Sequence, residues 1–287
     1  MLISKAVIAA AGMGTRFLPI TRSIPKEMLP LVDKPVIQYA VEEAVACGIN
    51  LVVMITAQGK AALEEYFDRN TELERSLQQR GKKDLWEKIH RLPDMADICF
   101  IHQKEQLGLG HAVLSTKEVV GKEPFVLILP DDLFEQKEII LQKMLGIYQK
   151  FHGSVIALRQ VSHESIGRYG VIRAKHIDGN IYQVLDLVEK PRPEDAPSDL
   201  AVMGRYVLTP EIFPELEATA PGRGGEIQLT DALRRLLEKQ EIYGYVTEGD
   251  YYDAGTIPGW LHATISLALK HPEFGLELRK KFFASPE

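Results

Sequence analysis

The sequence contains few cysteines, no long apolar run and no long basic run, and each of these absences excludes a class of protein. Its two cysteines, Cys47 and Cys99, lie among apolar residues, a setting typical of buried free thiols rather than of a disulfide framework or a metal site. No apolar run approaches membrane-spanning length, and Lys5 interrupts the short one before the alanines at 9–11, which argues against a signal peptide. The formal net charge of −6 argues against a general nucleic-acid binder.

What is present is the composition of an ordinary globular protein. Of the 287 residues, 45% are hydrophobic and 26% are charged, and a chain of this length can bury a sizeable core. We therefore expect a cytoplasmic protein that binds neither nucleic acid nor a membrane.

The strongest local pattern lies within residues 5–30, where an apolar run of β character is followed directly by Gly12 and Gly14. A buried strand that ends in glycines presents free backbone N–H groups to phosphate oxygens, and the missing Cβ lets the ligand approach closely. Arg16 and Lys26 can add positive charge to the same phosphates. The pattern therefore predicts a nucleoside triphosphate loop rather than a simple turn.

Two familiar glycine loops do not fit this stretch. The dinucleotide fingerprint G-x-G-x-x-G/A needs a small residue where the chain has Phe17, because that position normally lets helix and strand pack closely. The Walker loop needs Gly-Lys-Ser/Thr shortly after its first glycine, and this sequence is absent. A nicotinamide-dependent oxidoreductase is therefore disfavoured.

Periodicity predicts alternating strands and helices in the first half and a partly antiparallel region in the second. The predicted strands are residues 7–10, 51–55, 97–101, 125–129, 154–159, 170–173, 181–189, 201–208 and 243–247. The predicted helices are residues 33–48, 108–120, 135–150, 228–240 and 257–270, with further helices in the charged segment 59–91. Asp131 and Asp132 follow the most apolar strand, at the edge where open α/β sheets bind ligands.

Further motifs follow the glycine loop along nearly the whole chain. They lie at residues 24–35, 103–112, 129–132, 169–171, 189–191, 204–206 and 225–231. Together with the loop, and in this order, they resemble the bacterial UTP–glucose-1-phosphate uridylyltransferases, which belong to the sugar-1-phosphate nucleotidyltransferases.

The resemblance implies an α/β fold: a Rossmann-like nucleotidyltransferase with a mixed, mostly parallel central sheet flanked by helices and a smaller, partly antiparallel sugar-binding region. It implies one domain over residues 1–272, with a nucleotide-binding half at about 1–150, a sugar-binding half at about 151–256 and a closing helix at 257–270. Residues 273–287 would form a tail. A homodimer or homotetramer is expected.

The implied reaction transfers a uridylyl group from UTP to α-D-glucose 1-phosphate, giving UDP-glucose and pyrophosphate with the help of Mg²⁺. Such a transfer depends on positioning and charge neutralisation rather than on a covalent enzyme intermediate.

The resemblance also assigns roles to individual residues. The catalytic cations would be Arg16, Lys26 and Lys190. The nucleotide would be bound by Ala11, Gly12, Gly14, Thr15, Gln103, Gly108 and Asp132. The sugar phosphate would be bound by Gly170, Glu189, Gly204 and Glu226. Asp131 and Asp253 would be the Mg²⁺ ligands. From the residue type alone, the Gln103 amide can both donate to and accept from the imide edge of uracil.

Two alternatives stay open. Residues 254–260 lack the lysine-bearing run usual in these uridylyltransferases and look closer to the thymidylyltransferases, so a glucose-1-phosphate thymidylyltransferase is the first alternative. A non-catalytic regulatory member of the family is the second, disfavoured because Gly12, Gly14, Thr15, Arg16 and Lys26 are all present.

Overall fold

A computed structural model describes residues 3–135 and 137–283, and most of its strands join one nine-stranded sheet. The strands, numbered along the chain, are β1 (Lys5–Ala9), β2 (Pro30–Leu31), β3 (Lys34–Pro35), β4 (Leu51–Thr56), β5 (Asp97–His102), β6 (Phe125–Ile128), β7 (Asp132–Phe134), β8 (Ser154–Gln160), β9 (Gly170–Asp178), β10 (Ile181–Glu189), β11 (Leu200–Leu208), β12 (Ile242–Val246) and β13 (Tyr251–Asp253). The α-helices are α1 (Val36–Ala46), α2 (Ala61–Phe67), α3 (Thr71–Gln79), α4 (Lys83–His90), α5 (Leu109–Leu114), α6 (Lys117–Val120), α7 (Lys137–Phe151), α8 (Ile212–Ala218), α9 (Leu229–Leu236), α10 (Ile257–Lys270) and α11 (Gly275–Phe283).

The strand order in the large sheet is β5-β4-β1-β6-β11-β8-β12-β10-β9. The first-half strands β5, β4, β1 and β6 pair in parallel, as their intervening helices predict. Strand β11 of the second half runs antiparallel to β6 on one side and to β8 on the other. The two halves therefore share a continuous sheet, which is mixed as expected.

The core lies on both faces of this sheet, and β6 shows how the sequence builds it. Phe125 and Leu127 face one apolar layer, with α5, α8 and α9, whereas Val126 and Ile128 face the other, with α1 and α7. All four side chains are fully buried. A strand covered on both faces needs an unbroken apolar run, which is why this run was the clearest strand in the sequence.

Several short elements were not predicted, and one predicted helix is divided. Ser115 and Thr116 separate α5 from α6, and their hydroxyls donate to the carbonyls of Ala112 and Val113 at 2.6 and 2.7 Å. Such back-bonding competes with a regular helix. Strands β7 and β13 have three residues each, too few for a periodic signal, yet they pair antiparallel with each other.

The C-terminal part also differs from expectation. Helix α10 has the predicted bounds, but the predicted tail contains helix α11, which packs against α10. The Gly275 amide donates to the carbonyl of His271 at 2.9 Å, and this contact begins the second helix. No helix within the described ranges is long and apolar enough to cross a membrane.

A buried ion pair joins helix α1 to the sheet beside the end of β6. Arg205 of β11 donates through Nε and Nη2 to the two carboxylate oxygens of Glu43 at 2.7 and 2.8 Å, and both side chains are 1% exposed or less. Its Nη1 donates to the carbonyls of Leu129 and Gly204, each at 2.9 Å. The pair therefore fixes the backbone from which Asp131 projects.

Breaking this pair should destabilise the protein strongly. Arg205→Met leaves the Glu43 carboxylate buried without a partner, which typically costs about 3–5 kcal/mol. The double variant Arg205→Met/Glu43→Leu removes both charges and should lose much less stability. Urea unfolding of the wild type, Arg205→Met and the double variant measures the three free energies of unfolding. A double variant as unstable as Arg205→Met would contradict the interpretation.

Candidate active site

Two adjoining cavities open at the carboxyl ends of the parallel strands. The glycine-loop cavity, of about 430 Å³, is lined by residues of the loop after β1 and by the segment before α5. The second cavity, of about 500 Å³, is lined by residues from β7, β9, β10, β11 and β13 and by the segment between β6 and β7. Asp131 and Glu226 line both cavities, so the two spaces meet there.

All the residues singled out in the sequence line one or both of these cavities. The glycine-loop cavity contains Ala11, Gly12, Gly14, Thr15, Lys26, Gln103 and Gly108. The second cavity contains Arg16, Asp132, Gly170, Glu189, Lys190, Gly204 and Asp253. The structure brings these residues together around two adjoining cavities. Their individual roles remain predictions.

Backbone conformation explains why two positions of the glycine-loop cavity are occupied by glycine. Gly14 has a φ of 65°, in the left-handed region, and it leads into the short 3₁₀ turn Thr15–Phe17. Gly108 has a φ of 95°, and a Cβ there would lie 2.7 Å from the Cβ of Glu226. Only glycine fits both the conformation and the close approach of the two chain segments at this cavity wall.

Asp132, predicted to bind the nucleotide, lines the second cavity rather than the glycine-loop cavity. It begins strand β7, and a Cβ on Gly204 would lie 2.3 Å from its Oδ2. The hydroxyl of Tyr251 donates to its Oδ1. Burial, followed by the neighbouring charge of Asp131, raises the pKa of Asp132 to about 6.

The predicted metal ligands, far apart in sequence, meet beside Gly255. Pairing of β7 with β13 places Asp253 opposite Asp132, and the Ala254 amide donates to the Asp131 carbonyl at 2.8 Å. A Cβ on Gly255 would lie 2.6 Å from Asp131 Oδ2 and 3.1 Å from Asp253 Oδ1. Only a glycine therefore lets these two carboxylate oxygens approach the backbone so closely.

Each of these carboxylates has its own cation. Lys26 Nζ lies 2.5 Å from Asp131 Oδ2, and Arg168 Nη2 lies 2.7 Å from Asp253 Oδ2. Burial alone would raise the pKa of the Asp131 carboxyl, but the ammonium of Lys26 outweighs it and holds this pKa below its usual range. Burial likewise opposes the charge of Lys26, yet the neighbouring carboxylates raise its pKa, so it stays protonated at neutral pH.

The sugar-side candidates form a second polar group. Glu189 Oε2 accepts a hydrogen bond from the hydroxyl of Thr230 at 2.7 Å, and its Oε1 lies 3.0 Å from Lys190 Nζ. Lys190 has a φ of 44°, an uncommon conformation for a residue with a side chain. Its amide donates to the carbonyl of Tyr169 at 3.0 Å, which holds this turn at the cavity wall.

Sequence reasoning missed Lys60, which it placed in a solvated charged segment. Lys60 is buried, and its Nζ donates to the carbonyl of Ala10 at 2.5 Å and to Glu27 Oε2 at 2.8 Å. It thereby links the end of β1 to the turn that carries Lys26. Arg168 was also missed, because a single arginine outside a motif gives no signal in the sequence.

A magnesium ion can fit this arrangement. Within the described residues, no group of three or more His, Cys, Asp or Glu side chains could hold a metal. Magnesium commonly takes one or two carboxylates and completes its shell with water and substrate phosphates. Asp131 and Asp253, which both line the second cavity and approach Gly255, could supply carboxylates of that kind.

The fold and the site agree with a comparison to known proteins. The family model for nucleotidyl transferases matches residues 5–268. The chain therefore belongs to the nucleotidyl transferase family, which confirms the predicted fold class.

Within this family, the chain is similar to proteins named for one particular reaction. It is 48% identical to the UTP–glucose-1-phosphate uridylyltransferase of Staphylococcus epidermidis over 277 residues, 96% of each chain. It matches the UTP-bound UGPase from Acinetobacter baumannii with a TM-score of 0.91 and 38% identity, covering 99% of this chain and 100% of that one. It also matches a UDP-glucose pyrophosphorylase complexed with UDP-glucose, with a TM-score of 0.85 and 43% identity, covering 94% and 100%.

A methyl group beside the two aspartates should impair nucleotidyl transfer. We expect Gly255→Ala to lower the rate of pyrophosphate release about tenfold or more, because the added methyl would displace the Asp131 and Asp253 carboxylates, and misplacing groups at a reaction site by about 1 Å can cost that much. Gly146→Ala in α7 is the matched control, since nothing lies within 4 Å of the added methyl. Full activity of Gly255→Ala would show that the placement of these two carboxylates has no role in the reaction.

Proposed function

We propose that this protein transfers a uridylyl group from UTP to α-D-glucose 1-phosphate, giving UDP-glucose and pyrophosphate. The observation that carries the proposal is the meeting of two cavities at Asp131, with Asp253 lining the second cavity. One cavity suits a nucleotide and the other a phosphorylated sugar, and the relatives that share this chain's fold over nearly its whole length are named for this reaction.

The glycine-loop cavity suits the nucleotide. The loop after β1 can direct backbone N–H groups at the phosphates, as glycine-rich turns at strand ends do. The Gln103 amide nitrogen donates to the carbonyl of Gly108 at 3.2 Å and lies 3.0 Å from His111 Nδ1. These contacts fix the orientation of a buried amide that can pair with the imide edge of uracil.

The second cavity suits the sugar phosphate. A Cβ on Gly170 would lie 3.1 Å from the Thr230 hydroxyl and 3.3 Å from Glu189 Oε2, so this glycine lets both groups pack closely against the cavity wall. Glu189 can accept hydrogen bonds from sugar hydroxyls, while the adjacent Lys190 can hold the phosphate group of the sugar.

The reaction needs little from the protein beyond positioning and charge. A phosphate oxygen of glucose 1-phosphate attacks the α-phosphorus of UTP, the bond to the β-phosphate oxygen breaks, and pyrophosphate leaves. The attacking oxygen is already anionic, so no general base is required. Lys26 would neutralise the α-phosphate, Lys190 the incoming phosphate and Arg16 the leaving group, so like charges can approach one another.

We further propose that Asp131 and Asp253 hold Mg²⁺. Bound there, the ion would neutralise charge that develops on the leaving pyrophosphate. Lys26 and Arg168, which pair with the two carboxylates, would remain close enough to contact the substrate phosphates. A cytoplasmic location and a homodimer or homotetramer stay predictions from the sequence.

A substrate panel tests the proposed function directly. Pyrophosphate release should be fastest with UTP and glucose 1-phosphate when UTP, dTTP, ATP and GTP are combined with several sugar 1-phosphates. A higher kcat/KM with dTTP would support the thymidylyltransferase instead. Absence of release with every pair would support a non-catalytic protein.

Lys26 should be essential for turnover. Lys26→Ala removes a charge from a reacting phosphate, a loss of roughly 3 kcal/mol in the transition state or about a hundredfold in kcat. Lys26→Gln, which keeps a donor near Asp131, separates the lost charge from any lost stability. Lys104→Ala is the control, because Lys104 is exposed and lines neither cavity. Near-normal turnover of both Lys26 variants with saturating substrates would exclude this role.

Glu189 should act on the sugar rather than on the nucleotide. Glu189→Gln should raise KM for glucose 1-phosphate about tenfold and leave KM for UTP nearly unchanged, because each hydrogen bond to a charged group contributes roughly 1.5–3 kcal/mol. Glu194→Gln, on the exposed surface, provides the comparison. If KM for UTP rises while that for the sugar does not, Glu189 belongs to the other pocket.

A further inference from the structure

The side-chain amide of Gln103 is held in one orientation at the wall of the glycine-loop cavity. Its Nε2 donates to the carbonyl of Gly108 at 3.2 Å and lies 3.0 Å from Nδ1 of His111. A carbonyl oxygen can only accept, so the amide end at Gly108 is the nitrogen, and the ring nitrogen beside the same NH₂ group must also accept. Both hydrogens of this NH₂ group are therefore used within the protein.

The oxygen of the same amide is left for a ligand. Gln103 is 6% exposed and lines the glycine-loop cavity, and no donor among the described residues reaches its Oε1. This oxygen is nevertheless not one of the polar side-chain atoms that the described part of the chain seals off without a partner. It is therefore the polar atom that Gln103 offers to the cavity, and it can only accept a hydrogen bond.

His111 lies behind the amide, on a helix that is fixed independently of Gln103. The Gly110 amide donates to the carbonyl of Ile227 at 2.8 Å, and a Cβ on Gly110 would lie 2.6 Å from that oxygen, so the first turn of α5 packs tightly against this segment. The backbone of Gln103 is held separately, because its amide donates to the carbonyl of Thr56 at 2.8 Å. His111 itself lines neither cavity, so it can act on a ligand only through Gln103.

We propose that His111 is a positioning residue that keeps the oxygen of Gln103 turned toward the nucleobase and thereby excludes cytosine, an inference that rests on the proposed function. N3 of uracil carries a hydrogen that Oε1 can accept, and thymine is the same at this atom. N3 of cytosine carries a lone pair, so two acceptors would face each other. A site built to bond an N–H group rejects an analogue without it, because a polar group of the site is then left unpaired.

Rotation of the amide by half a turn would reverse this preference. The rotated side chain would present Nε2 to the base, where it could donate to N3 of cytosine, and would turn Oε1 toward the two acceptors at the wall. His111 supplies one of these acceptors and Gly108 the other. Loss of the His111 acceptor should therefore weaken the preference for uracil without abolishing it.

Equilibrium binding of two nucleotides tests the proposal without requiring turnover. Binding of UTP to the full chain is measured by calorimetry in the absence of glucose 1-phosphate, and binding of CTP is measured by its displacement of UTP. The ratio of the dissociation constant for CTP to that for UTP should fall about tenfold in His111→Phe, which keeps a ring but no acceptor, since one hydrogen bond has about that weight. A purely structural defect would weaken both nucleotides alike and leave the ratio unchanged.

Two substitutions separate the acceptor from the ring. His111→Asn should keep a ratio close to that of the wild type, because its Oδ1 accepts and is as many bonds from the backbone as Nδ1 of histidine. His102→Phe is the matched control, since this exposed histidine precedes Gln103, lies 3.2 Å from Glu64 and lines neither cavity. If His111→Asn lowers the ratio as much as His111→Phe does, the inference is wrong.

A second background shows whether the effect passes through Gln103. Gln103→Leu should lower the ratio at least as far as His111→Phe does, and adding His111→Phe to it should then change nothing, because residues that act as one unit are not additive. An effect of His111→Phe of equal size in both backgrounds would overturn the proposal.

An unchanged ratio in His111→Phe, or a wild type that binds CTP as tightly as UTP, would also overturn the inference. If the wild type still forms UDP-glucose in that case, the proposed function stands while the role of His111 fails. If the ratio falls as expected but no UDP-glucose forms, the role of His111 in base selection stands while the proposed reaction fails.

Discussion

Neutralisation of the partly buried Asp131 carboxylate is the constraint on which the rest of the site depends. The ammonium of Lys26 lies 2.5 Å from this carboxylate and neutralises its charge. The carboxylate of Glu27, the next residue in the chain, is neutralised by the ammonium of Lys60 at 2.8 Å. Lys60 also binds the backbone at Ala10, where the glycine loop begins. Charges of alternating sign thus connect the glycine loop, the turn that carries Lys26 and the acidic end of the strand, so a change to any one of them disturbs the others.

The acidic pair results from a long-range pairing of two very short strands. Neither β7 nor β13 could be stable alone, but together they lie beside the end of β6, whose backbone is held by the Arg205 side chain. Residues more than a hundred positions apart therefore converge at one point beside Gly255. A site built on strand ends in this way is held more precisely than one built on loops.

The sequence was sufficient for the fold class and most strands, because glycine loops and unbroken apolar runs have local signatures, and the family resemblance named many of the residues that line the two cavities. It was not sufficient for features that arise from packing. Asp132 could not be assigned to a cavity without the β7–β13 pairing, and Lys60 is indistinguishable from a surface lysine until its contacts with Ala10 and Glu27 are seen. Arg168 can be linked to the site only through its ion pair with Asp253, which lies 85 positions away in the sequence. Periodicity reports on which side of an element is buried, not on which distant element lies against it.

The insertion of β11 between β6 and β8 has a consequence for how the chain is made. During synthesis, β1, β4, β5 and β6 emerge first and can pair with one another, but the free side of β6 gains its partner only after residue 208 has left the ribosome. Until then, a fully apolar strand presents unpaired N–H and C=O groups along an open sheet edge, the surface through which proteins most readily aggregate. The first half of this chain therefore depends on the second half to cover this edge of the sheet as well as to complete the second cavity.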